Sequence, residues 1–161
     1  ENGTLPLRVT HNDTKSNNVL IDETTKKGLC VIDLDTVMPG LAVNDFGDSI
    51  RFGASTGAED EKDLSKISCD LGLFDVYTKG FVEGCEGILT KEEIACLPLG
   101  AKVMTYECGM RFLTDYLSGD VYFKTDYPTH NLDRARTQFK LVADMEEKWE
   151  EMQRITQKYI L

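Results

Sequence analysis

The stretch VTHNDTKSNNVLID, residues 9–22, concentrates polar side chains between residues that are typical of strands. It holds one histidine, two acids, one lysine and three asparagines, edged by valine, leucine and isoleucine. The flanking residues predict short strands over 5–10 and 18–22, and a third strand over 29–33 follows a turn at 23–28. Two explanations stay open at this point: an ordinary polar turn, or a catalytic loop held on strands.

The rest of the chain has a helical pattern. Apolar residues recur at helical spacing, which predicts helices over 70–84, 99–118 and 131–158, and a further helix begins within 43–53. Thr90 and Glu93 have the spacing of a capping box. The sequence therefore predicts an α+β fold, a small β element followed by a mostly helical body, in one domain spanning residues 1–161.

Composition excludes several classes of partner and site. With a net charge of −10 and a pI of about 4.7, the chain is not expected to bind nucleic acid or an anionic membrane. Its longest apolar runs are far shorter than the roughly 20 residues of a membrane span. The two histidines exclude a histidine-rich metal site, and the odd count of five cysteines, without a CxxC pair, predicts reduced, mostly buried thiols and a cytoplasmic protein.

Three carboxylates stand out in the β element. Asp33 and Asp35 follow the apolar run LCVI, which predicts a buried strand that ends at Asp33, and Asp13 lies in the loop before it. If strands 18–22 and 29–33 pair as a hairpin, Asn18 and Asp33 lie opposite each other, and the loop places Asp13 above both. A carboxylate and an amide oxygen, completed by waters and phosphates, suit a hard cation.

The spacing His11-x-Asp13-x-x-x-x-Asn18, followed by a hydrophobic strand that ends in Asp33, matches the catalytic loop of kinases. Protein kinases have arginine and glycine where this chain has Asn12 and Asp35, and no A-P-E signature follows. The pattern instead resembles small-molecule kinases of the aminoglycoside phosphotransferase/choline kinase superfamily. The stretches VIDLDTVMPG, NDFGDSIRFGA, ECGMRFLTDYLSGD and HNLDRARTQFKLVADME resemble the C-terminal half of N-acetylhexosamine 1-kinases.

The resemblance implies an activity and a set of loop residues. The activity is transfer of a phosphoryl group from ATP to the anomeric hydroxyl of N-acetylglucosamine or N-acetylgalactosamine. Asp13 would be the catalytic base. Metal-binding roles are implied for Asn18, Asp33 and Asp35, the last reaching a second Mg²⁺ or its water shell. Supporting roles in the loop are implied for His11 and Asp45.

Contacts with substrates are expected at three further positions. Lys15 contacts the γ-phosphate or is a solvated loop lysine, and both possibilities stay open. Arg111, in the otherwise apolar stretch GMRFL, is expected to be buried against a core carboxylate or a sugar. Tyr122 is expected to hydrogen-bond or stack on the sugar, or to pack on the lobe, whereas Asp115 is expected to be a charge on the helix surface.

Kinases of this type hold the nucleotide with an N-terminal lobe, and only ten residues precede His11. The sequence is therefore expected to be a kinase-like C-terminal lobe, truncated relative to the family, with little activity without the missing lobe. Three alternatives stay open. One is a small-molecule kinase acting on choline, homoserine or another sugar, the second is a non-catalytic kinase-like fragment, and the third, disfavoured by the ligand set, is a metal-dependent hydrolase.

Overall fold

A computed structural model describes residues 5–160, and within this range the chain forms four short strands and six α-helices. The strands are β1 (Arg8–Thr10), β2 (Val19–Ile21), β3 (Gly28–Val31) and β4 (Met38–Gly40). The helices are α1 (Ala42–Gly53), α2 (Leu71–Gly84), α3 (Lys91–Ala95), α4 (Leu97–Leu117), α5 (His130–Glu147) and α6 (Trp149–Gln157). This is the predicted α+β arrangement, with all of these strands ahead of the helices. None of these helices is long and apolar enough to cross a membrane.

The strands pair as two separate two-stranded antiparallel sheets in the described part of the chain. In one sheet β1 pairs with β4, so that Val9 lies opposite Pro39, and in the other β2 pairs with β3, so that Val19 lies opposite Val31. Strand β4 was not predicted, because it is three residues long and contains a proline. The polar loop at residues 11–18 therefore connects two sheets, and the prediction that a single hairpin carries it is wrong.

The predicted register at the hairpin is also wrong, by one residue. The Ile32 N–H donates to the Asn18 carbonyl at 2.9 Å, so Ile32 and not Asp33 lies opposite Asn18. Asp33 has left the strand, with φ of 63° and ψ of 57°, and it precedes a 3₁₀ turn at Leu34–Thr36. Because Asp33 has a left-handed conformation, the alternation of a strand does not predict the direction of its side chain.

The hairpin strands are exposed, contrary to the prediction of a buried strand before Asp33. Leu20, Leu29 and Val31 are 46%, 65% and 52% exposed. The reason is that the buried apolar cluster of the described chain is built mainly by the helices and includes no residue of β2 or β3. The thiols differ from expectation for a related reason: all five are free, but Cys30 on β3 is exposed and only Cys69 is fully buried.

The core places α1 directly against α4. Phe46 and Ile50 of α1 are completely buried in one apolar cluster with Leu97 and Ala101 of α4. The helices approach so closely that a Cβ atom on Gly47 would overlap the Gly100 carbonyl. Since α1 carries polar side chains that contact the loop at residues 11–18, this packing fixes their position relative to α4.

The capping box predicted at the start of α3 is confirmed. The Glu93 N–H donates to Thr90 Oγ1 at 3.1 Å, and the Thr90 N–H donates to Glu93 Oε2 at 2.7 Å. Glu93 also accepts hydrogen bonds of 2.8 and 2.7 Å from Arg8 of β1. One buried carboxylate thus caps α3 and joins the first sheet to the helices.

The last predicted helix, 131–158, is divided into α5 and α6 at Lys148. The Lys148 ammonium binds the Asp144 carboxylate at 2.8 Å and the Cys69 carbonyl at 2.9 Å. The break coincides with this contact to a distant loop. No glycine or proline marks it in the sequence, which is why the apolar period predicts one continuous helix.

Candidate active site

Asp45, in the first turn of α1, holds the loop that follows β1. Its carboxylate accepts hydrogen bonds from the N–H groups of His11 at 2.8 Å and Asn12 at 2.7 Å. The Thr14 hydroxyl donates to the Asp45 carbonyl at 2.6 Å. Hydrogen bonds to a charged acceptor are among the stronger ones in proteins, so this carboxylate fixes the loop backbone next to Asp13.

A second set of bonds joins the loop to the segment after Asp33. Asn12 has a left-handed conformation, with φ of 63°, and its side-chain amide donates to the Thr36 carbonyl at 3.0 Å. The Thr36 hydroxyl donates to the His11 carbonyl at 2.6 Å. The residues flanking Asp13 and Asp33 are thereby held together, although the two belong to different turns.

The His11 ring lies between the loop and the hairpin. Its Nε2 lies 3.0 Å from the Ile32 carbonyl, and its Nδ1 accepts the Asp13 N–H at 3.3 Å. These partners assign the proton to Nε2, because a carbonyl only accepts and a backbone N–H only donates. His11 therefore orients the backbone on both sides of the site.

The Asp13 carboxylate is held by two neighbours through one oxygen. Asn18 Nδ2 donates to Asp13 Oδ2 at 2.9 Å, and the Lys15 ammonium binds the same oxygen at 2.8 Å. Burial alone would raise the pKa of Asp13, but the hydrogen bonds from Lys15 and Asn18 and the Lys15 charge outweigh it and hold this pKa below its ordinary value. No hydrogen bond within residues 5–160 uses Asp13 Oδ1, which leaves that oxygen available to accept a proton.

The expected metal ligands are near the hairpin and differ in burial. Asn18 is 5% exposed and commits its Nδ2 to Asp13, so its Oδ1 remains as the donor atom for a cation. Asp33 and Asp35 are exposed, one just before the 3₁₀ turn and one within it. Among residues 5–160, no three His, Cys, Asp or Glu side chains are grouped to hold an ion by themselves. This donor set fits Mg²⁺, which binds through one or two carboxylates and completes its shell with phosphates and water.

A cleft of about 490 Å³ opens beside Asp13. Its volume is within the range of small-molecule sites. It is bounded by the loop at residues 11–18, by α1 and α4, and by the segment between α4 and α5. Its lining includes the side chains of Asp13, Lys15, Asp48, Arg51, Glu59, Glu107, Arg111, Tyr122, Lys124 and Arg134.

Arg111 and Tyr122 line the same cleft as Asp13, but the prediction that Arg111 is buried is wrong. Its guanidinium lies 5.9 Å from the centre of the Tyr122 ring and 5.5 Å from that of the Phe123 ring. Apolar neighbours do not imply burial on this helix, because α4 has apolar residues on its exposed side as well as on its buried side. Tyr122 is 74% exposed, so it does not pack in the core.

Asp115 is buried and organises the segment that carries Tyr122, which corrects the expectation of a surface charge. Its carboxylate accepts the N–H groups of Val121 at 3.0 Å, Tyr122 at 2.8 Å and Phe123 at 2.9 Å. Desolvation would raise the pKa of Asp115, but these backbone donors and Asn131 lower it below its ordinary value. Asp115 shapes the turn after α4.

Sequence reasoning missed a group of charged side chains in the cleft: Asp48, Arg51, Glu59 and Arg134. Asp48 and Arg51 are only 7% and 8% exposed and are paired at 3.0 Å. One signal was present in the sequence. Asp45 and Asp48 are three residues apart, and so are Asp48 and Arg51, which puts all three on one side of α1.

Comparison with known families agrees with this geometry. Residues 2–72 match the family model described as phosphotransferase enzyme family, APH. The matched range contains the loop with Asp13 and Asn18 and the residues that bind it from α1, and it ends before the helix that carries Arg111. The match supports the aminoglycoside phosphotransferase/choline kinase superfamily and indicates a kinase-type phosphotransferase.

Proposed function

We propose that this chain supplies the catalytic loop and the acceptor-binding part of a kinase that transfers the γ-phosphoryl group of ATP to the anomeric hydroxyl of an N-acetylhexosamine. The observation that carries the proposal is that Asp13, with Oδ1 free, shares one cleft with Arg111 and Tyr122. A hydroxyl in this cleft would donate its proton to Oδ1 while Oδ2 stays fixed by Asn18 and Lys15. Such positioning of a carboxylate is the main protein contribution to phosphoryl transfer.

The proposed cofactors are ATP and Mg²⁺. Asn18 through Oδ1 and Asp33 would hold the cation, with Asp35 beside them. Bound Mg²⁺ would neutralise charge on the phosphates of ATP. Lys15 would hold Asp13 in its ionised form until the phosphates arrive. We propose that a nucleotide-binding lobe packs on the exposed apolar side chains of β2 and β3. We also propose that the protein acts in the cytoplasm.

The charges of the cleft favour a neutral, polyhydroxylated acceptor. Lys15 pairs with Asp13, and Arg51 pairs with Asp48 and Glu59. Arg111, Lys124 and Arg134 add positive charge at the same cleft and Glu107 adds negative charge, so the charges of the lining nearly balance and favour neither a cation such as choline nor an anion. An uncharged sugar with several hydroxyls can instead use both acidic and basic partners.

The test is a panel of acceptors with the full-length protein, ATP and Mg²⁺, followed by ADP release and by ³¹P NMR of the product. N-acetylglucosamine or N-acetylgalactosamine should give the sugar 1-phosphate, and choline and homoserine should give no product. Turnover of choline or homoserine without turnover of any hexosamine would assign a different acceptor. The same preparation without any acceptor is the control for ATP hydrolysis by water.

A further inference from the structure

The floor of the cleft is a row of alternating charges, in which Asp48 and Arg51 are buried and Glu59 and Arg134 are half-buried. Asp48 Oδ1 accepts from Arg51 Nε at 3.1 Å, and Arg51 Nη1 donates to Glu59 Oε1 at 2.8 Å. Beyond Glu59 lies Arg134, whose Nε is 3.7 Å from Glu59 Oε2. Two acids and two bases make this row neutral, so it requires no charged ligand for balance.

Two atoms of this row lack a hydrogen-bond partner. In the part of the chain that the structure describes, the buried side-chain polar atoms without a partner are Asp48 Oδ2, Arg134 Nε and Gln138 Oε1. The first two belong to residues that line the cleft, and the third does not. A buried polar group without a partner is destabilising, and such groups are rare in folded proteins. One acceptor and one donor are therefore left without a hydrogen bond, at the two ends of the row.

We propose that this floor is a subsite for a hydroxyl group of the acceptor, in which the hydroxyl donates to Asp48 Oδ2 and Arg134 Nε donates to an oxygen of the same molecule. The two open atoms require one donor and one acceptor on the same molecule, and a sugar supplies both through different hydroxyl groups. An ammonium group would lack an acceptor for Arg134 and would face Arg51. The inference rests on the proposed function, since it names how the acceptor of that site is recognised.

The position of Asp48 gives the subsite a defined relation to the catalytic loop. Asp48 lies three residues after Asp45 on α1, and Asp45 holds the backbone next to Asp13. Both are on a helix packed tightly against α4, so the floor and the loop are attached to one rigid element. A hydroxyl bound at the floor would set the distance from a second hydroxyl of the same sugar to Asp13.

The test is Asp48→Asn in the full-length protein. Asparagine keeps an oxygen for Arg51 but replaces Oδ2 by an amide that donates. We expect the acceptor Kd, measured by calorimetry with N-acetylglucosamine and N-acetylgalactosamine, to rise at least about 10-fold, while the KM for ATP stays within about twofold. Gln138→Met is the matched control, because it removes a buried, unpartnered oxygen outside the cleft and should leave the acceptor Kd unchanged.

Monodeoxy sugars identify the contact. For the wild type, one deoxy position should weaken binding about 10-fold or more, and Asp48→Asn should abolish that difference. Binding of no sugar by the wild type, or an identical deoxy pattern in Asp48→Asn, would overturn the subsite. If a sugar binds through Asp48 but is not phosphorylated, the subsite stands and the kinase function fails. If the sugar is phosphorylated and neither its binding nor its turnover changes in Asp48→Asn, the kinase function stands and the subsite fails.

Discussion

Asn18 Nδ2 donates to both the backbone carbonyl and the Oδ2 atom of Asp13, each at 2.9 Å. One amide thereby fixes the main chain and the side chain of the proposed base. It also leaves Asn18 Oδ1 as the atom that we propose binds the cation. In the proposed function one side chain would link the base and the metal, so a change at Asn18 should affect both.

Asn18→Ala is expected to lower kcat about 10- to 100-fold, because Asp13 loses a hydrogen bond to its charged group. The same change is expected to raise the Mg²⁺ concentration that gives the half-maximal rate. The measurement is initial rate against Mg²⁺ at saturating acceptor. Asn17→Ala, at the adjacent exposed position, is the control and should keep the wild-type Mg²⁺ curve. An unchanged Mg²⁺ dependence in Asn18→Ala would separate Asn18 from the metal.

Lys15→Met should move the acid limb of the pH–rate profile to higher pH. A base works in its ionised form, and the lowered pKa of Asp13 keeps the wild type active to lower pH than an ordinary carboxyl would allow. Removing Lys15 takes away a hydrogen bond and a charge that lower this pKa. The measurement is kcat/KM against pH, with Lys27→Met, at an exposed lysine of the hairpin turn, as the control. An acid limb that stays in place would show that Asp13 is not the group that titrates.

Asp115→Ala should raise the acceptor KM about 10-fold or more and leave the KM for ATP within about twofold. Three backbone N–H groups lose their acceptor, so the turn that carries Tyr122 loses its fixed shape. Hydrogen exchange at Val121, Tyr122 and Phe123 is the independent measurement and should become faster. Ser118→Ala, at an exposed position of the same turn, should change neither. Unchanged exchange at these three amides would contradict this role.

The loop at residues 11–18 can be recognised in the sequence because its pattern is local. The spacing of His11, Asp13 and Asn18, with Asp33 after an apolar run, is sufficient for a kinase hypothesis. The capping box at Thr90 and Glu93 is local in the same way. These features depend on neighbours within a few residues, so no knowledge of packing is needed.

Other features depend on contacts between distant residues, which a pattern does not contain. Strand β4 exists because it pairs with β1, and the break at Lys148 coincides with a contact to Cys69. The burial of Asp115 depends on a turn that folds back over α4. The pairing of Arg51 with Glu59 joins α1 to a loop that the sequence marks only as polar.

The central claim is that Asp13 accepts the proton of the attacking hydroxyl. The most direct measurement is the rate of sugar phosphorylation by Asp13→Asn in the full-length protein at saturating ATP and acceptor, with circular dichroism to verify folding. We predict a kcat about 10²- to 10⁴-fold below the wild type, with an unchanged spectrum and a similar KM for ATP. A folded Asp13→Asn protein with a kcat within about threefold of the wild type would contradict the account.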